Sequence, residues 1–179
     1  AFIRARIAHL KAELLVESPY FVLPAGAQAT VKALHERNVR VRVLTNSLAS
    51  NDMLPAHSGY AKTRRRLLEN GMELYELRPD TEAFRPGWSL LSGRSRAALH
   101  AKAMAFDGEA VFIGSFNLDP RSAAINTEAG LYIESAELTK RLRDYMATGV
   151  EPTNSYRVRL DPKGAIVWET ERDRQTVRY

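Results

Sequence analysis

The sequence contains no cysteine among its 179 residues, which excludes disulfides and thiolate metal sites and fits a cytoplasmic protein. It has no apolar run approaching the ~20 residues that a membrane-spanning helix needs. It also has no charged-then-apolar signal segment at its start, no internal repeat and no low-complexity tract. Because the chain begins at Ala1 without Met, we expect that a longer protein continues upstream.

The composition is that of one soluble globular domain. Hydrophobic residues make up 45% of the chain and charged residues 26%, which allows a sizeable core and excludes a disordered chain. The formal net charge is +5, which favours acidic partners such as phosphates, lipid headgroups or nucleic acid without choosing among them.

The first half of the chain alternates between helical and strand periodicity. The predicted elements are a helix over 2–12, a strand over 13–22, a helix over 27–37, a strand over 39–44, a helix over 58–70 and a strand over 72–77. Gly71 follows the third helix where a C-cap glycine belongs, and residues 46–57 are predicted to be a polar loop. This order predicts an α/β domain with parallel strand pairing.

The second half has shorter strands. We predict a functional loop through 79–96, which includes Trp88, and then a hairpin of strands 99–106 and 110–114 turning at Asp107-Gly108. A strand over 128–134, a helix over 136–147 and a hairpin of 156–160 with 165–169 follow, and the last ten residues are predicted to fray. The predicted core includes Val41, Val43, Leu74, Val111, Ile113 and Leu131.

Polar side chains recur two residues apart near this first hairpin. The pairs are His100 with Lys102, Ser115 with Asn117, and Asn126 with Glu128. Residues two apart on a strand share a face, so the hairpin and the next strand can bring these groups to one sheet edge.

This set of groups suits phosphoryl transfer without a metal. A neutral imidazole is a suitable nucleophile toward an anionic phosphodiester, and Lys102, Ser115 and Asn117 can hold the phosphate oxygens. Glu128 could accept a proton from the second imidazole nitrogen and fix its tautomer. Taken singly, a histidine on a strand is more often structural than catalytic, and a lysine is most often a solvated charge. Asp107 by itself is explained by ordinary turn formation with Gly108.

The spacing of the whole set resembles the HKD motif of the phospholipase D superfamily. The matching residues are His100, Lys102, Asp107, Gly114, Ser115 and Asn117. The resemblance implies that His100 is a nucleophile or general acid, that Lys102 and Asn117 bind phosphate, and that Ser115 supports the site. Glu128 falls where the family places the acid that orients the histidine. Asp107 is counted with the catalytic motif, although its role in it is more structural than chemical.

Further stretches resemble the second half of bacterial cardiolipin synthases, and in particular the cardiolipin synthase C branch. They are Glu17–Phe21 with Pro24, Thr45–Asp52, Ala56–Tyr60 and Gly71–Pro79. The family uses two HKD motifs facing one another, whereas this chain has one. His9 has a lysine two residues on, but none of the rest of the motif follows it. The resemblance implies that residues 1–179 are one phospholipase D-like α/β domain, with a mixed β-sheet flanked by helices. This domain is expected to be either the C-terminal half of a longer two-motif chain or a subunit that dimerises.

The resemblance implies a phosphatidyltransferase that works through a phosphohistidine in cardiolipin synthesis, with a phospholipid substrate, no cofactor and no metal. Such an enzyme would lie in the cytoplasm, peripheral at the inner membrane. The alternatives are a homodimeric nuclease of the same superfamily and an inert half-domain that only binds phosphate or lipid.

Three other positions are weaker candidates. His57, in the predicted loop, could contact a lipid headgroup or be a surface histidine. The run Arg64-Arg65-Arg66 could meet anionic lipid or nucleic acid, or form a solvated helix face. Trp88 could anchor the loop at an interface or make a local packing contact.

Overall fold

A computed structural model describes residues 2–24, 26–51, 53–81 and 97–179. In these ranges nine strands form one mixed sheet in the order β6-β5-β4-β1-β2-β3-β7-β8-β9. The strands are β1 (Glu13–Glu17), β2 (Arg40–Asn46), β3 (Glu73–Leu77), β4 (Ala103–Phe106), β5 (Ala110–Gly114), β6 (Gly130–Glu134), β7 (Ser155–Leu160), β8 (Ile166–Arg172) and β9 (Gln175–Arg178). The helices are α1 (Phe2–Ala8), α2 (Ala27–Glu36), α3 (Leu54–Glu69), α4 (Pro120–Ala124) and α5 (Ala136–Gly149). The predicted α/β class, a mixed sheet flanked by helices, is confirmed.

The centre of the sheet is parallel. β2 pairs in parallel with both β1 and β3, and the crossovers contain α2 and α3. β4 runs antiparallel to β1, with Glu17 at the end of β1 opposite Ala103 at the start of β4. The carboxyl ends of β1, β2 and β3 therefore meet the segment that precedes β4, and such an edge is where α/β sheets commonly bind ligands.

Helices cover the two faces of the sheet unequally. On the first face, alternate strand residues such as Leu14 and Val43 pack with side chains of α1, α2 and α3. On the second face, Leu15 and Ala105 pack with Met146 of α5. Leu44, Tyr75 and Leu77 form a further small cluster with Ala97 and Leu99, so the described residues contain one large core and two smaller ones.

Two turn predictions are confirmed by the backbone. Asp107 and Gly108 have φ values of 51° and 76°, as a tight hairpin turn needs. Gly71 has a φ of 79° just after α3 ends.

Several predicted boundaries are wrong. β1 ends at Glu17 and β4 begins at Ala103, so residues 97–102 lie outside any strand. α3 begins at Leu54, inside the predicted loop, with Pro55 in its first turn. The tail forms β9, which reaches β8 through a turn at Asp173 and Arg174 with φ values of 52° and 61°. This turn contains no glycine, so its usual sequence signal is absent.

The predicted core is confirmed for Val41, Val43, Leu74 and Val111 and is wrong for two residues. Ile113 is 45% exposed and Leu131 is 67% exposed, although they pair across β5 and β6. β6 is the edge of the sheet, and α5 lies over β5, β4 and β1 instead.

None of the helices in the described ranges is long and apolar enough to span a bilayer. Residues 82–96, which hold most of the predicted loop and Trp88, lie outside the described residues.

Candidate active site

A buried amide holds the segment that carries His100. Asn46, at the end of β2, is 2% exposed, and its side chain accepts a hydrogen bond from Leu99 N (2.8 Å) and donates one to Leu99 O (3.1 Å). This two-point contact fixes the backbone next to His100. No local sequence pattern points to this role of Asn46, because its partner is 53 residues away and is a backbone group.

His100 and Lys102 lie at the start of the hairpin, as predicted, although not on a strand. The Lys102 Nζ donates to the backbone oxygen of His100 at 2.7 Å, and Gly114 N donates to Lys102 O at 3.1 Å. His100 is exposed and Lys102 half-buried. The contacts hold the ammonium beside the end of β5, where Ser115 follows.

Close packing of β5 on β6 explains the motif glycine. Gly114 pairs with Gly130, and a Cβ added at Gly114 would lie 2.4 Å from Ala129 O and 2.7 Å from Gly130 Cα. This approach lets Ser115 N donate to Ala129 O at 2.8 Å and Ala129 N donate to Ser115 Oγ at 3.0 Å. Any larger residue at Gly114 would separate the serine from Glu128.

The Ser115 hydroxyl donates to Glu128 Oε2, and Asn126 Nδ2 donates to Glu128 Oε1 at 3.2 Å. These bonds, led by that from Ser115 and assisted by the charge of Lys102, hold the pKa of the Glu128 carboxyl below its usual value. Glu128 is thus an anion within the cluster. Glu128 was predicted to contact the His100 ring. In the described residues its carboxylate accepts hydrogen bonds from Ser115 and Asn126 instead.

Asn117 is anchored through the chain that follows it. Leu118 N donates to Ser18 Oγ at 3.2 Å, and Val22 N donates to Leu118 O at 2.7 Å. Within the described structure the buried Asn117 Oδ1 has no hydrogen-bond partner. An unused buried amide oxygen at this point is consistent with a ligand site.

A pocket of about 430 Å³ opens between these groups and α5. His100, Lys102 and Ser115 line its polar side, and Ile113, Leu142 and Tyr145 line the other. An ammonium and hydroxyl facing apolar side chains suit a ligand with both an anionic and an apolar part.

Asp107 lies apart from this cluster, at the other end of β4. Its carboxylate accepts hydrogen bonds from the backbone N–H groups of Lys11 (2.9 Å), Ala12 (2.8 Å) and Glu13 (2.9 Å). Counting Asp107 with the catalytic groups is not supported by this geometry, since its oxygens anchor the start of β1. This position fits the expectation that the role of Asp107 in the motif is more structural than chemical.

The interpretation of His57 needs correction. His57 lies in α3, not in a loop, and is buried, with its Nε2 3.4 Å from an Arg64 nitrogen and its ring edge-on to Tyr60. Burial, with the adjacent Arg64 charge, lowers the pKa of this imidazole. Tyr60 belongs to the first core, on the face opposite α5 and the pocket. A headgroup contact by His57 is therefore not supported.

The three consecutive arginines of α3 do not act as one patch. Arg64 is buried and forms an ion pair with Glu76 at 3.1 Å, whereas Arg65 and Arg66 are exposed. Arg65 donates to Gly164 O, and Arg66 donates to Gln28 Oε1 at 2.8 Å.

No group of three or more His, Asp or Glu side chains that could hold a metal ion occurs in the described part of the chain. The polar residues that line the pocket are His100, Lys102, Ser115 and Tyr145, which carry an imidazole, an ammonium and two hydroxyls, a set that suits an anion rather than a cation.

Comparison with known proteins gives matches in both sequence and structure. A family model described as "Cardiolipin synthase, PLD-like domain" matches residues 3–148. Cardiolipin synthase C of Escherichia coli (strain K12) is 43% identical over 152 residues, which cover 84% of this chain and 32% of that protein. The chain thus spans about a third of the length of that relative.

Two solved structures share the fold. Nuc of Salmonella typhimurium, described as a phospholipase D family member, superposes with a TM-score of 0.64 at 15% identity and covers 88% of this chain and 89% of its own. The phosphatidylserine synthase of Haemophilus influenzae superposes with a TM-score of 0.63 at 18% identity, covering 87% of this chain and 36% of its own. At these identities the likeness establishes the fold alone.

Proposed function

The chain belongs to the cardiolipin synthase, PLD-like domain family, and from this we propose that it forms one half of a phosphatidyltransferase active site. The observation that carries the proposal is the pocket in which Lys102 and Ser115 face the apolar side chains of Ile113 and Leu142. Such a pocket suits a phospholipid, because the phosphodiester and its apolar substituents need both kinds of wall.

In the proposed mechanism, an imidazole nitrogen attacks phosphorus and forms a P–N bond. The bond to the departing headgroup oxygen breaks, and a second histidine gives that oxygen its proton. An incoming alcohol, such as the glycerol of phosphatidylglycerol, then returns a proton to the second histidine and displaces the first. His100 is one of these two histidines, and water in place of the alcohol would make the reaction a hydrolysis.

Other residues of the motif would bind the phosphate. Lys102 and Asn117 can donate to its non-bridging oxygens and stabilise charge that develops in the transition state. Glu128 holds the Ser115 hydroxyl in a fixed orientation. Asp107 takes no part in the chemistry, because its carboxylate is bound to three backbone amides.

The second histidine must come from outside this motif. We propose that residues 1–179 are one domain and that its counterpart is a second HKD half, in the same longer chain or in a second copy. The chain matches about one third of the length of the E. coli relative, which supports a second half in the same longer chain. The proposed substrate resides in a bilayer, so the proposal includes peripheral contact with the cytoplasmic face of the inner membrane.

The proposal is tested by His100→Ala in the complete two-motif enzyme. We expect the rate of phosphatidyl transfer to fall by several orders of magnitude with the fold unchanged, because both possible roles need an imidazole at this position. The measurement is transfer between labelled phospholipids, with circular dichroism as the check on folding.

His9→Ala is the matched control, since His9 also precedes a lysine by two residues but lies just after α1, where its ring bonds to the backbone at Ala5 O (2.7 Å). It should leave the rate within about twofold of wild type. A His100→Ala enzyme that retains more than roughly a tenth of the wild-type rate would remove His100 from the mechanism. Cleavage of DNA or RNA without lipid turnover would instead support the nuclease alternative.

A further inference from the structure

The loop that joins β2 to α3 buries polar side chains and exposes apolar ones. Its large apolar residues reach solvent, with Leu48 58% exposed and Met53 38% exposed. Surface loops normally arrange the two kinds of side chain the other way round. The buried polar residues, each at most 5% exposed, are Thr45 and Asn46 at the end of β2 and Ser47 and Ser50 in the loop.

Hydrogen bonds hold the exposed part of this loop in place. Ser50 N donates to Ser47 O at 3.2 Å, which closes a tight turn with Leu48 and Ala49 at its tip. Ser50 Oγ donates to Leu77 O at 3.0 Å and lies 2.9 Å from Ser47 Oγ. The polar groups of the turn therefore bond to the protein and fix the tip on the end of β3.

The base of the loop is tied to the candidate active site. Asn46 bonds both backbone groups of Leu99, the residue before His100. The loop follows β2 at the carboxyl edge of the parallel strands, where the segment with His100 also lies. A surface that touches Leu48 is therefore brought to the pocket end of the sheet.

The area of the tip favours a bilayer over a protein as its partner. A stable protein interface buries about 800 Å² on each side, far more than two side chains supply. The exposed Ile113 lies on β5, three strands from β2 and so about 14 Å away, which makes the tip a separate feature. In a bilayer each inserted apolar side chain leaves water by itself, and the net charge of +5 favours anionic headgroups.

We propose that Leu48 and Met53 insert into the boundary between headgroups and acyl chains of an anionic bilayer, and so hold the pocket at the surface where a phospholipid lies. The choice of a bilayer rests on the proposed function. The apolar contact adds to the electrostatic attraction of the basic chain, but salt does not screen it.

The test is partitioning of the 179-residue chain onto vesicles of phosphatidylglycerol and phosphatidylcholine, measured by co-sedimentation at about 0.5 M salt, where charge attraction is weak. We expect Leu48→Ser to weaken partitioning about five- to tenfold, because the lost side chain supplies much of the inserted apolar area. Adding Met53→Ser should bring the loss to at least about twentyfold. Circular dichroism checks the fold of each variant.

The matched control is Tyr179→Ser. Tyr179 is as exposed as Leu48, at 57%, but lies beyond the opposite edge strand β9. Its substitution should change partitioning less than about twofold. A loss equal to that of Leu48→Ser would mean that any exposed apolar residue contributes, which overturns the proposal.

A second measurement locates the tip directly. The chain has no cysteine, so Leu48→Cys can carry a single environment-sensitive fluorophore. On vesicles its emission should shift to the blue and be quenched by lipids with a spin label on the acyl chain. The same label at Tyr179→Cys should show neither effect. This measurement decides where a serine variant fails to fold.

Three results overturn the proposal: a parent chain that does not bind these vesicles, a Leu48→Ser variant that partitions like its parent, or a label at position 48 that stays in water. Loss of self-association in Leu48→Ser, with vesicle binding unchanged, would assign the tip to a protein contact and also overturns it. None of these measurements needs turnover. Failure of this inference and failure of the proposed function, tested by His100→Ala, are therefore separate results.

Discussion

Asp107 joins two segments that are far apart in the chain. Its carboxylate binds three consecutive backbone N–H groups just before and at the start of β1, some 95 residues away in sequence. Asp107 also turns the β4–β5 hairpin with a positive φ of 51°. One residue therefore fixes both the turn and the position of the neighbouring strand.

We predict that Asp107→Ala lowers the free energy of unfolding by about 2–3 kcal/mol, because three amides lose a charged acceptor but two of them can reach water. The folded enzyme should keep turnover within about tenfold of wild type, unlike His100→Ala. Urea unfolding and a lipid turnover assay on the same sample check the two parts.

Asp161→Ala is the matched control for this prediction. Asp161 Oδ1 also caps a turn, accepting from Lys163 N at 2.8 Å and Ala165 N at 2.7 Å, but both partners lie within four residues. Its loss should cost about 1 kcal/mol or less. Equal losses from the two variants, or a rate as low as that of His100→Ala, would contradict the structural role of Asp107.

At the residue scale, the sequence predicts what depends on spacing. The motif identified His100, Lys102 and Ser115, and the structure brings all three to one pocket. It could not predict that Glu128 would bind Ser115 instead of His100, since that depends on how closely β6 approaches β5. The role of Asn46 depends on its contact with Leu99, which lies in a distant segment, and no local pattern contains that contact.

At the scale of elements, a buried ion pair joins α3 to the strands. Arg64 pairs with Glu76 of β3 at 3.1 Å, and its guanidinium lies over the rings of Tyr60 (4.6 Å) and Trp168 (5.0 Å). The Trp168 Nε1 donates to Glu76 Oε2 at 3.0 Å, which adds β8 to the same contact. The strands β7–β9, which follow the part matched by the family model, are thereby attached to α3.

We predict that Arg64→Met lowers the free energy of unfolding by about 3–5 kcal/mol, because it leaves the Glu76 carboxylate buried without its cation. Adding Glu76→Met should recover at least about half of that loss, since a buried pair can often be replaced by apolar side chains. Thermal or urea unfolding of the two single variants and the double variant measures the coupling.

The exposed pair Lys140 and Asp144, 2.7 Å apart on α5, is the control. Lys140→Met should change stability by less than about 1 kcal/mol. If the double variant of Arg64 and Glu76 is no more stable than the Arg64 single variant, the buried pair does not hold these elements together.

Element types were predictable where periodicity was strong, and boundaries were not. The order β1-α2-β2-α3-β3 follows from alternating helix and strand patterns. The start of α3 at Leu54 was missed because a polar, turn-rich sequence carries no apolar period. The buried Arg64 was missed because a run of arginines on a helix usually faces solvent.

At the scale of the whole molecule, the end of the sheet that holds the pocket carries exposed apolar side chains. Ile113 lines the pocket, its strand partner Leu131 lies on the edge strand β6, and Ile125 precedes the segment with Glu128. All three are exposed. Strand alternation predicted that Ile113 and Leu131 are core residues. The prediction was wrong because α5 stops short of β6, which a sequence cannot show. An exposed apolar surface at a half-site, here Ile113 with its neighbour Leu131, is where a second half would dock.

We predict that the 179-residue chain folds but shows little turnover as a monomer, because in-line displacement needs a nucleophile and an acid on opposite sides of phosphorus. At high concentration the apolar surface should promote self-association, and turnover should then rise with the dimer population if two copies of His100 face each other. Sedimentation velocity and a lipid turnover assay at matched concentrations measure both.

Leu131→Lys should weaken both association and turnover, since it adds a charge to this surface. The control is Tyr179→Lys, at an exposed residue beyond the opposite edge strand β9, which should change neither. Robust turnover by a monomer would contradict the half-site, and association unaffected by Leu131→Lys would show that the copies meet elsewhere.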